Sequence, residues 1–232
     1  PCPAHTRAMS IDLPFTLVSF DLDGTLVDTA GEIAEAANRA IAEFGLPPRP
    51  EAELTLLIGH GAQALMAQLL AGVAPPIDPA AALGRFEHHY RDTTGTRGRP
   101  YPGCAQTLHR LRAAGLRLAC VTNKEARLAQ QLLRHHGLHD AFELLVGGDS
   151  LPQKKPHASV LQHVAAVLGT PTERLAHVGD SAVDVMAARN AGAAAWAVPW
   201  GYNGGRPIAS AAPDLVFESL PAIADHLLGP AR

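Results

Sequence analysis

Phe15-Thr16-Leu17-Val18-Ser19-Phe20 runs directly into Asp21-Leu22-Asp23-Gly24-Thr25. A short, nearly continuous apolar run ends abruptly in two acids, a glycine and a hydroxyl. Such a run suits a strand buried on both faces of a parallel sheet. Residues 117–121, 144–146, 175–178, 194–198 and 215–217 repeat the pattern, each bounded by polar residues or glycine. Helical periods fall between them at 105–114, 125–136, 158–168 and 182–191, the last stopped by Gly192. This alternation predicts an α/β fold with a doubly wound parallel sheet.

One stretch interrupts the alternation. From Asp28 to Pro100 there is no strand pattern, only helical segments at 31–44, 51–58, 62–71 and 79–91. The expected organisation is an α/β core of residues 10–28 and 98–232 with an inserted all-helical domain at 29–97. Hinges are expected near Asp28 and near 97–102, and an unstructured leader over 1–9 with Met9 as a candidate natural start.

Composition narrows the function. The 232 residues suit one large domain, or one with a smaller companion. Lys and Arg number 19 against 22 Asp and Glu, a net charge of −3, so nucleic acid is not an expected partner. A hydrophobic content of 47% excludes disorder of the weakly apolar, highly charged kind. Cys2, Cys104 and Cys120 provide neither a disulfide framework nor zinc-like spacing. The longest apolar run, 191–200, is broken by Gly192 and Pro199 and falls short of the roughly 20 residues of a membrane span. With no basic-then-apolar signal at the N-terminus, a cytoplasmic protein away from membranes is expected.

In open α/β sheets, ligands bind beyond the carboxyl ends of the strands. The first strand delivers Asp21 and Asp23, the second Thr122-Asn123-Lys124, and the fourth Gly179-Asp180-Ser181 and then Asp184; Lys154-Lys155-Pro156 follows the third. Asp21 and Asp23, two apart in extended chain, share a side. Acids gathered in one cleft raise each other's pKa and call for a cation. An all-oxygen set favours Mg²⁺ over Zn²⁺. Such a cleft, with Lys155 and the Thr122 hydroxyl, is a site for phosphate. Asp21 then suits a nucleophile and Asp23 a general acid and base, while Thr122 and Lys155 hold the phosphoryl oxygens.

This constellation resembles the haloacid dehalogenase superfamily. Asp21-Leu22-Asp23-Gly24-Thr25-Leu26-Val27-Asp28 matches the first motif, Thr122-Asn123 the second, Lys155-Pro156 the third, and Gly179-Asp180-Ser181-Ala182-Val183-Asp184 the fourth. An isolated Asp-Gly is ordinary turn chemistry; four motifs in order are far more specific. The resemblance implies a Rossmann-like core with a helical cap. It also implies Mg²⁺ held by the Asp21 carboxylate, the Asp23 backbone carbonyl and the Asp180 carboxylate, with Asp184 supporting a bound water or Lys155. The second acid favours phosphoryl transfer over dehalogenation.

Within that superfamily, Gln153-Lys154-Lys155-Pro156-His157, Gly201-Tyr202-Asn203-Gly204 and Ile58-Gly59-His60-Gly61 look like phosphoglycolate phosphatases. Ala158-Ser159 departs from them, since a proline is expected there. The expected activity is Mg²⁺-dependent hydrolysis of a small phosphorylated metabolite, 2-phosphoglycolate first. Asn123 joins Thr122 and Lys155 as substrate contacts, and Gly59, His60 and Gly61 are candidates to offer backbone N–H groups to the substrate's carboxylate. A sugar-phosphate phosphatase, a β-phosphoglucomutase-like mutase and a catalytically silent binding module are the alternatives.

Overall fold

The computed structural model describes residues 14–230, so the expected leader and Cys2 lie outside the described residues. Six strands form one parallel sheet in the order β5-β4-β1-β6-β7-β8. They are β1 (Leu17–Phe20), β4 (Arg117–Val121), β5 (Leu144–Val146), β6 (Leu175–Gly179), β7 (Ala194–Ala197) and β8 (Leu215–Val216). The order reverses at β1, so its carboxyl end opens on a crevice between β4 and β6. The register pairs Phe20 with Cys120 on one side and Val178 on the other, placing three strand ends at one level.

The two faces of β1 feed two cores, as the two-residue period of a strand requires. Val18 and Phe20 pack with Leu22 and with side chains of α5 (Cys104–Ala113), α6 (Ala126–His135) and α9 (Leu220–Leu228). Leu17 packs on the other face with α7 (Ala158–Val167) and α8 (Ala182–Ala191). Aromatics are scarce, and Ala187, Ala188 and Ala191 of α8 meet Ala195 and Ala197 of β7, so small residues let helix and sheet approach closely. Gly192, left-handed at φ 76°, ends α8.

The helical block contains α1 (Ala30–Ala42), α2 (Glu51–Thr55), α3 (Ala62–Leu69) and α4 (Pro79–Thr93). Asp78 caps α4 by accepting from the Ala80 and Ala81 N–H groups at 3.1 and 3.3 Å, with Pro79 in the first turn. Ile33, Ile41, Leu54, Met66, Phe86 and Tyr90 form its own core, which Leu128 of α6 joins from the sheet side.

The junctions hold a correction to the sequence reading, which found no strand from Asp28 to Pro100. Val27–Asp28 (β2) and Arg99–Pro100 (β3) pair antiparallel. Two residues are too few to display a strand period. Glu32 of α1 ties this ribbon to the helices. Its fully buried carboxylate accepts from the Gly95 and Gly98 N–H groups at 2.9 and 3.0 Å through one oxygen. Burial is the largest cause of its raised pKa.

Candidate active site

The carboxyl end of β1 turns sharply at Gly24, whose φ of 82° favours glycine. A Cβ there would stand 2.6 Å from Asp180 Oδ2, and one at Gly201 would stand 2.2 Å from the same atom. Asp180 is therefore wedged between two glycines. Thr25 Oγ1 donates to its Oδ1 at 2.7 Å and the Tyr202 N–H donates to its Oδ2 at 2.5 Å. Among the described residues no cation touches it directly, and burial, then Asp184 and Asp21, push its pKa well up.

Carboxylate oxygens of Asp21, Asp180 and Asp184 lie within 4.8 Å of one another, and all three residues are buried. Lys155 is the counter-charge. Its Nζ lies 2.9 Å from Asp21 Oδ1 and 2.7 Å from Asp184 Oδ1, and donates to the Val121 carbonyl at 2.7 Å. Burial alone would lower the Lys155 pKa, but Asp184 and Asp21 outweigh it and hold the ammonium charged. Asp184 is fully engaged: Oδ2 accepts from the Ser181 N–H and hydroxyl at 3.1 and 2.6 Å, while Oδ1 meets Lys155 and, at 3.3 Å, His177 Nε2. Against the burial that would raise it, Lys155 and His177 keep its pKa below the usual carboxylate range.

Asp21 differs. Its Oδ1 has the Lys155 ion pair but, among the described residues, no hydrogen bond of good geometry. Burial is the main cause that raises its pKa to about 7, with Asp184 and Asp23 adding to it against Lys155. Three buried acids that share one lysine and keep unused carboxylate oxygens fit a hard divalent cation. Asp21 and Asp180 retain accepting capacity for one, whereas Asp184 is committed to Lys155 and Ser181.

Asp23 turns its carboxylate away from this cluster. Oδ1 accepts from Thr29 Oγ1 at 2.8 Å and from Lys124 Nζ at 3.0 Å. Asp21 and Asp23 line a cavity of about 220 Å³ with Thr122, Asn123 and Lys124. Ile33, Ile58, Leu65, Leu83 and Phe86 of the helical block wall it opposite the sheet. Asn123 Nδ2 donates to the Gly59 and Lys155 carbonyls at 3.2 and 3.1 Å, while its buried Oδ1 has no partner among the described residues. Gly59 and Gly61 line the cavity; His60 is exposed, and its carbonyl accepts from Lys154 Nζ at 2.9 Å. Through these bonds the 59–61 loop meets the sheet by its carbonyls.

Two residues carry more than their sequence reading assigned them. Lys124, given no role there, pairs with Asp23 and also meets the Tyr90 hydroxyl from the helical block. Its place directly after Thr122-Asn123 was the available signal. Tyr202 binds Asp180 through its N–H, while its hydroxyl accepts from the Thr29 and Ala30 N–H groups at 2.8 and 2.9 Å and donates to Asp28 at 2.5 Å. It thereby joins an acid of the cluster to the first turn of α1.

The family of haloacid dehalogenase-like hydrolases matches residues 18–198. A plasmid phosphoglycolate phosphatase of Cupriavidus necator is 46% identical over 228 residues, covering 96% of this chain and 97% of its own. The phosphoglycolate phosphatase of Thiobacillus denitrificans is 39% identical over 216 residues, covering 91% of this chain and 95% of its own. The crystal structure of a predicted phosphoglycolate phosphatase from Haemophilus somnus superposes with a TM-score of 0.86 at 32% identity, covering 93% of this chain and 98% of that one. Among the described residues no helix is long and apolar enough to cross a membrane.

Proposed function

We propose that this chain, which belongs to the haloacid dehalogenase-like hydrolase family and is a phosphoric monoester hydrolase, converts 2-phosphoglycolate and water to glycolate and phosphate. The carrying observation is the division of labour between the two acids: Asp21 sits at the buried carboxylate–lysine cluster and Asp23 faces the cavity beside it.

An Asp21 oxygen attacks phosphorus and the ester P–O bond breaks, leaving an aspartyl-phosphate. Asp23 gives its proton to the departing alkoxide. It then takes one from the water that attacks the same phosphorus, restoring the Asp21 carboxylate and releasing phosphate. Lys155, buried and charged, and Thr122, which lines the cavity, hold the phosphoryl oxygens; Asn123 lines the cavity beside them as a substrate contact, its Nδ2 held by the Gly59 and Lys155 carbonyls. Asp21 and Asp180, with the Asp23 backbone carbonyl, are the residues to hold Mg²⁺, and Asp184 keeps Lys155 in place. When bound, the ion supplies charge neutralisation to the phosphoryl oxygens.

Residues 29–97 act as a cap that excludes water from the first step, with Gly59 and Gly61 lining the cavity at its edge and His60 exposed between them. The largely apolar cap wall has few partners for sugar hydroxyls, which favours a small ester over a hexose phosphate. The test is phosphate release from 2-phosphoglycolate with Mg²⁺ and with EDTA. Wild type turns over only with Mg²⁺, and Asp21→Asn abolishes turnover; a fully active Asp21→Asn enzyme refutes the assignment.

A further inference from the structure

We infer that Lys124 is the specificity-determining cation of the cavity, reading a carboxylate on the carbon next to the ester oxygen. The substrate class is then the short phosphooxy-carboxylates. This rests on the phosphatase reading above and on the place of Asp23 in it.

Lys124 stands out by burial combined with access. Its side chain is 2% exposed, yet it lines the cavity. The ammonium has three protons to donate. One goes to Asp23 Oδ1 at 3.0 Å and one to the Tyr90 hydroxyl, with the nitrogen 4.2 Å from the centre of the Tyr90 ring. Among the described residues the third proton has no acceptor, and the cavity is the space open to it.

The other charged residues on the cavity leave Lys124 alone in this role. Glu87, Glu125 and Asp149 are acids and offer a carboxylate no positive charge. Lys154 is partly exposed and donates to the His60 carbonyl. Lys155 lies off this lining, at the Asp21 and Asp184 carboxylates where the phosphoryl group is handled.

Distance agrees. Asp23 must lie within one hydrogen bond of the ester oxygen, and Lys124 Nζ lies one hydrogen bond beyond Asp23. Where Asp23 meets the ester through this same Oδ1, the nitrogen is at most about 6 Å from that oxygen. A carboxylate on the adjacent carbon carries its oxygens across three covalent bonds, roughly 3–4 Å from the ester oxygen. That leaves one hydrogen bond to span. A longer substrate would instead press its anionic end into the apolar wall.

The experiment compares kcat/KM for 2-phosphoglycolate, 2-phospholactate and ethyl phosphate, the last matching the first in carbon count without the carboxylate. Wild type, Lys124→Met, Lys124→Gln and Lys124→Arg are measured, and the quantity read is the preference for a carboxylate ester over ethyl phosphate. Lys124→Met and Lys124→Gln lower that preference on the order of 100-fold, chiefly through KM, and Lys124→Arg recovers part of it. Equal proportional losses on all three esters would place Lys124 with Asp23 or the fold and overturn the inference. A wild type that prefers 2-phospholactate, with the preference removed by Lys124→Met, sustains the inference while refuting 2-phosphoglycolate as substrate. A wild type with no carboxylate preference refutes both.

Discussion

Replacing Lys155 by Met keeps the length of the side chain and removes its charge. The ammonium lies within 2.9 Å of Asp21 and 2.7 Å of Asp184 at 3% exposure, so the substitution strips one partner from a buried ionic cluster. Breaking such a pair costs about 3–5 kcal/mol, because the acids left behind stay desolvated. At about 2–4 °C per kcal/mol for a chain of this size, the melting temperature in EDTA at pH 7 falls by about 6–20 °C. The pH dependence checks the cause. In the wild type, the lowered pKa of Asp184 stabilises the fold above the ordinary carboxylate pKa, and this is lost as pH falls through the folded value. Without Lys155, burial and like charges dominate and raise the acid's pKa, so its penalty grows as pH rises above the unfolded value. The gap between Lys155→Met and wild type therefore narrows from pH 7 to pH 5. A loss under about 3 °C, or a gap that widens on acidification, would refute this account of the cluster.

Two further perturbations test the cap. Tyr202→Phe deprives the fully buried Thr29 N–H of its acceptor, while Ala30 keeps Asp28 at 3.3 Å; the cost is about 1–3 kcal/mol, read as a melting temperature lower by about 5 °C, and an unchanged value would show that the hydroxyl does not hold the hinge. Glu125 has a pKa raised to about 7, first by burial and then by its hydrogen bond to Glu87 of α4. A raised acid stabilises below its unfolded pKa, so the wild type loses stability as pH rises from 4.5 to about 7; Glu125→Gln flattens that slope in urea unfolding, and parallel wild-type and variant curves would remove the coupling between α4 and the sheet.

The resemblance to this family was legible because its motifs are local. Asp21, Thr122, Lys155 and Asp180 each close or follow a short buried strand, and a sheet whose strands run parallel must bring those ends together. Asp23 needed the turn as well. Residues two apart in an extended chain share a side, yet Gly24 bends the chain, and the Asp23 carboxylate leaves the acidic cluster for Lys124 and Thr29. The β2–β3 ribbon stayed hidden because its residues pair across some seventy positions and each strand is two residues long.

By itself the sequence determined the strand runs, the interrupting helical block and the acids and lysine that follow the strands, since periodicity and turn chemistry act over a few residues. The tertiary structure alone decided which acids share a counter-charge, that Tyr202 spans from Asp180 to the first turn of α1, and that Lys124 joins Asp23 to Tyr90 within the cavity. Those partners lie up to 172 residues apart. Burial and Coulomb energy depend on distance in space, and no local pattern in the chain encodes that distance.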